Sequence, residues 1–70
     1  MNLKTVIRGF NHVDIFDDKL MIGRVINGNI IICDLGKEFF HTWTDEDWRQ
    51  FAAFVAPIVA EMLPFRKNQR

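Results

Sequence analysis

The dipeptide Asn27-Gly28, set between LMIGRVI and NIIICDL, restricts this chain more than any other feature. A two-residue type I′ loop needs positive φ at both central positions, which asparagine and glycine tolerate and most residues resist. The spacing predicts a β-hairpin that pairs Ile26 with Asn29, Val25 with Ile30, Arg24 with Ile31, Gly23 with Ile32, Ile22 with Cys33 and Met21 with Asp34. With a side-chain period of two, one face receives Met21, Gly23, Val25, Ile30, Ile32 and Asp34. The other receives Ile22, Arg24, Ile26, Asn29, Ile31 and Cys33. Neither face is polar, so both are expected to be covered.

The hairpin sits among further extended segments. LKTVIRGF and HVDIF are rich in β-branched residues and are separated by Gly9 to Asn11, FDDK reads as a turn, and Gly36 leads into KEFFHTW, a fifth short strand or a strand-like approach to a helix. That helix is well marked at its start. Thr44 suits the N-cap, Asp47 three residues on completes a capping box, Trp43 and Trp48 fit a hydrophobic staple, and Asp45, Glu46 and Asp47 stand where the helix dipole favours anions.

At about 100° per residue, Trp48, Phe51, Val55, Ile58, Val59 and Met62 form one stripe, with Ala52 and Leu63 at its edge. The back of the helix collects Arg49, Gln50, Ala53, Phe54, Pro57, Ala60 and Glu61. Pro57 on that side fits a helix bent around its core, or one broken near Ala56. Ala53, Phe54, Pro57 and Ala60 are the candidate self-association residues, with Phe54 expected to protrude. Pro64 is expected to end the helix, leaving FRKNQR as a basic, flexible tail. The fold class is therefore α+β: an antiparallel meander of four or five strands packed against one C-terminal, proline-bent helix, with a single domain over residues 1–64 and the tail over 65–70.

Seventy residues suffice for one such domain, but a chain this short buries only about 60% of its unfolded surface. Its one cysteine, Cys33, forms no internal disulfide, and no Cys/His spacing suggests zinc, so self-association is the expected supplement. The longest uncharged apolar run, Phe51 to Ala60, is far below the ~18 residues of a membrane span, and the N-terminus lacks a signal-peptide run. A cytoplasmic location is expected, and attachment to a membrane is not.

Catalytic groups are few. Cys33 with Asp34 and His41 makes a poor nucleophile and base, because Cys33 lies in an isoleucine run. His12 and His41 lack further metal ligands, and DED at a helix start is explained by the dipole. No enzyme activity, cofactor or metal is expected. Residues 1–64 carry nine acidic and six basic groups, which opposes a wholly nucleic-acid-binding body. A local set of Lys4, Arg8, Arg24 and Lys37 with Phe10, Phe16, Phe39 and Phe40 has the charge and stacking surface that single strands use.

The strands followed by HTWTDEDWRQFAAFV resemble the strand-to-helix junction of the Whirly and transcriptional-coactivator family, over residues 20–63. The resemblance implies a curved four-stranded sheet backed by a helix, a dimer, and single-stranded-DNA contacts carried by Arg8, Arg24 and Lys37. This chain has fewer basic residues across the sheet, and its Ile30-Ile31-Ile32 strand is more apolar than that family's groove. The expectation is a non-catalytic homodimer that recognises another macromolecule, foremost a protein, as a regulatory or inhibitory accessory factor, through Phe16, Arg24 and Phe40. The alternative is single-stranded nucleic-acid binding, with Arg66, Lys67 and Arg70 of the tail contributing.

Overall fold

A computed structural model describes residues 1–33 and 41–67, with side chains through residue 64. Four strands, β1 (Leu3–Gly9), β2 (His12–Asp17), β3 (Leu20–Ile26) and β4 (Asn29–Ile32), precede one helix, α1 (Asp45–Lys67). The strands form an antiparallel sheet in the order β1-β2-β3-β4, so this is the expected α+β meander with a C-terminal helix. The proposed fifth strand in KEFFHTW lies largely outside the described residues.

The β3–β4 hairpin has the register read from the sequence, from Ile26 opposite Asn29 to Gly23 opposite Ile32, and the Cys33 amide donates to the Ile22 carbonyl. Asn27 and Gly28 have φ of 52° and 80°, the positive pair that a type I′ turn requires. Asp18, in the FDDK turn, is also left-handed, with φ of 53°.

The facing of β3 differs from the period-two reading. Ile15 pairs with Gly23 while Phe16 pairs with Met21, which leaves Ile22 as an extra residue, a β-bulge. The bulge turns Ile22 inward, where it is fully buried with Val13, Ile15 and Val25, and leaves Met21 beside Phe16 on the outer face. Gly23 permits this arrangement: a Cβ there would lie 2.9 Å from the Ile31 carbonyl oxygen, closer than a side chain can approach.

α1 begins as its sequence specifies. The Thr44 amide donates to Asp47 Oδ2 at 3.0 Å, and the Asp47 amide donates to Thr44 Oγ1 at 3.2 Å, a reciprocal capping box. Trp43 and Trp48 meet edge to face with centroids 4.7 Å apart, and Phe51 completes the cluster. Replacing Thr44 with Ala should cost about 1 kcal/mol and lower Tm by about 4–8 °C for a domain of this size; thermal unfolding checks both.

Phe51, Val55 and Met62 are buried against the sheet, flanked by Ile58 and Val59. Phe54 packs on the same core half-buried, so its expected protrusion from the back of the helix is incorrect. It follows Phe51 by three residues and precedes Ile58 by four, which places it on the flank of the buried stripe. Ala53, Pro57 and Ala60 are exposed as expected.

The helix also does not end at Pro64. It continues to Lys67 and runs unbroken through Pro57, so neither a break near Ala56 nor a stop at Pro64 occurs. Pro57 and Pro64 lack the N–H groups that would bond the carbonyls of Ala53 and Ala60. Both alanines are exposed, and water can satisfy those oxygens.

Candidate interaction site

Among the described residues, two surfaces of the sheet are open to recognition: the face away from α1, and the β1 edge. On the first, Lys4, Phe16 and Met21 form one row across the strands and Val6, Asp14, Arg24 and Ile31 the next. Asp14 is the centre of this face and is only 5% exposed, although among the described residues no helix covers it.

Neighbouring side chains enclose that carboxylate. Arg8 Nε donates to Asp14 Oδ2 at 2.8 Å, and His12 Nε2 lies 2.9 Å from Oδ1. The hydrogen bond from Arg8, reinforced by His12, holds the Asp14 carboxyl below its ordinary value against the opposing effect of burial. Arg24 stands opposite Asp14 in register, and its guanidinium reaches Met21 Sδ at 4.0 Å. The expectation of an apolar outer face is thus corrected: the bulge removes Ile22 from it, and an ion-paired carboxylate occupies its middle.

On the helix side of the sheet, α1 lies closest to β3 and β4. The β1 half is left less covered, and a groove of about 240 Å³ opens between β1 and the second half of α1, lined by Thr5, Ile7, Gly9, Phe10, Val13, Ile58, Glu61 and Met62. At its rim Ile7 is 75% exposed and Phe10 78%. Every residue of β1 from Lys4 to Arg8 is exposed.

β1 is an edge strand, and its hydrogen-bonding phase follows from one contact: the Asp18 amide donates to the Asn2 carbonyl at 3.0 Å. Bonding to β2 therefore falls on Asn2, Lys4 and Val6, and the N–H and C=O groups of Leu3, Thr5 and Ile7 point to the open edge.

The sequence-derived contacts distribute unevenly over these surfaces. Arg8, Phe16 and Arg24 share the outer face, whereas Ala53, Pro57 and Ala60 lie on the back of α1. Lys37 and Phe40, and the side chains of Arg66 and Lys67, lie outside the described residues. Cys33 is half-buried, His41 is exposed, and His12 is engaged by Asp14.

Sequence reasoning missed the groove. Its signal was the apolar pair Ile7 and Phe10 flanking Arg8 and Gly9 at the end of the first strand, which has no evident partner in the sequence until the position of the helix is known. Among the described residues, no group of three or more His, Cys, Asp or Glu could hold a metal, and no helix is long and apolar enough to cross a membrane. No protein family, curated protein or solved structure shows a significant match to this chain.

Proposed function

We propose that the protein is a small non-catalytic binding module that acts in the cytoplasm as a homodimer and recognises another protein, as a regulatory or inhibitory accessory factor would. The observation that carries this reading is the seven-residue β1 edge, without proline, beside a groove whose rim exposes Ile7 and Phe10. Open edges with adjoining apolar pockets are where extended segments of other chains add as strands: the backbone supplies affinity and alternate side chains supply selectivity. The self-association surface proposed here is also this edge, because Phe54, the strongest argument for the back of α1, is used by the core; the edge holds one added strand at a time, so a second copy and another protein compete for it.

Single-stranded nucleic-acid binding on the outer face is the second reading, supported by Lys4, Arg8 and Arg24 around Phe16. Asp14 weakens it by engaging Arg8 at the centre of that face.

Immobilised wild-type protein and an Ile7→Glu variant, compared for capture from a cell extract and for oligo(dT) binding at two salt concentrations, separate the two. Protein recognition at the β1 edge gives a captured protein that Ile7→Glu loses, with no salt-steep oligonucleotide binding. Equal capture by both forms, or oligo(dT) binding that falls steeply with salt, overturns it.

A further inference from the structure

We propose that the β1 edge pairs with β1 of a second copy of this chain, antiparallel about a two-fold axis through Thr5, to make one continuous eight-stranded sheet. The inference rests on reading this edge as an association surface and names its occupant and register. Antiparallel neighbours must share a face, so a two-fold axis has to pass through a residue, not between two. Four centres keep most of β1 paired.

An axis at Lys4 sets Lys4 against itself, and one at Val6 sets Lys4 against Arg8 twice, both unfavourable like-charge contacts. An axis at Ile7 runs into the register irregularity between Ile7 and Gly9. The axis at Thr5 avoids both like-charge contacts and leaves the irregularity, at Arg8, to the end of the pairing. It sets Leu3 against Ile7 of the second copy on the helix side, Lys4 against Val6 on the outer side, and Arg8 against Asn2.

That last pairing adds charge complementarity. The Asn2 amide nitrogen donates to Asp17 Oδ1 at 3.0 Å, and Asn2 Nδ2 donates to Asp18 Oδ1 at 2.7 Å, so Arg8 of the second copy, its Nε still held by its own Asp14 at 2.8 Å, stands opposite a residue that carries two carboxylates behind it. The contact is isologous, and each favourable pair occurs twice. The edge-facing groups of Leu3, Thr5 and Ile7 fall opposite one another as hydrogen-bonded pairs, whereas Lys4 and Val6 form the closer, non-hydrogen-bonded pair. Both helices then lie on the same side of the joint sheet, and Leu3 of one copy covers the exposed Ile7 of the other.

Sedimentation across a concentration series, together with cysteine cross-linking in a Cys33→Ser background, tests the pairing. The mass should rise from the 8.3 kDa of one chain to twice that value. A mixture of Lys4→Cys and Val6→Cys chains should cross-link several-fold more than either variant alone.

Dominant cross-linking of Val6→Cys with itself, or of Lys4→Cys with itself, overturns the register. In the unmodified protein, amide exchange at Leu3, Thr5 and Ile7 should slow as concentration rises, while that at Lys4 and Val6 should not change. A chain that stays monomeric at millimolar concentration overturns the proposal. If such a monomer still captures a protein in an Ile7-dependent way, the edge serves a foreign strand, and the broader reading stands without this one.

Discussion

Ile22→Ala should destabilise the protein by about 3 kcal/mol, within the range found when a large aliphatic side chain is truncated in a close-packed core. For a domain of this size that corresponds to a Tm lower by roughly 12–24 °C. Ile31→Ala, a change of the same residue type on the neighbouring strand, should cost under about 1 kcal/mol. The contrast follows from the bulge: Ile22 is fully buried, whereas Ile31 is 45% exposed. Without the bulge, the pairing Arg24–Ile31 and period-two alternation would put both isoleucines on the outer face, and the two substitutions would cost similar amounts. Urea unfolding of the two variants, with m unchanged so that midpoints report stability, checks the prediction. Equal losses would mean that Ile22 does not occupy the core.

That bulge marks the boundary of what could be read from sequence. Turns and caps are local: Asn27-Gly28 sets its own φ values, and Thr44 reaches only to Asp47, so both features follow from residue type and spacing. The strand segments and the β3–β4 register follow from the hairpin turn and its flanking apolar runs. The extra residue at Ile22 belongs to the pairing of β3 with β2, and Gly23 beside it lies too close to the Ile31 carbonyl oxygen for a side chain; both are contacts with other strands that no pattern along β3 contains.

At Pro64 the helix continues although proline removes one hydrogen bond and its ring crowds the preceding turn; the carbonyl left unbonded belongs to Ala60, an exposed residue, where water lessens the cost. Phe54 was misread by drawing the buried stripe too narrowly: residues at 51, 54, 55, 58 and 62 keep the three-and-four spacing of one helix face. Both errors concern the candidate site. Moving Phe54 into the core takes the apolar excess away from the back of α1, and the position of α1 near β3 and β4 transfers it to the β1 edge.

Asp14→Asn should cost about 2 kcal/mol at pH 7, in the range for hydrogen bonds that involve a charged group, and most of that difference should vanish in acid. Arg8 and His12 both contact the Asp14 carboxylate, and its depressed pKa means that the folded state favours the ionised form. The associated stability is therefore fully present above the ordinary value of 3.8 and is lost as pH falls through the lower folded value. Wild type should lose stability in that acid window, while Asp14→Asn, which has no proton to bind there, should lose less, so the two unfolding midpoints converge. Midpoints measured at pH 7 and pH 3 test this directly, and a gap unchanged between them would mean that Asp14 contributes through shape and not through charge. The same measurement bears on the outer face as a nucleic-acid surface. Removing the carboxylate releases Arg8, 53% exposed at its side chain, from its partner, so Asp14→Asn should raise any residual affinity for oligo(dT), with a steeper salt dependence than wild type.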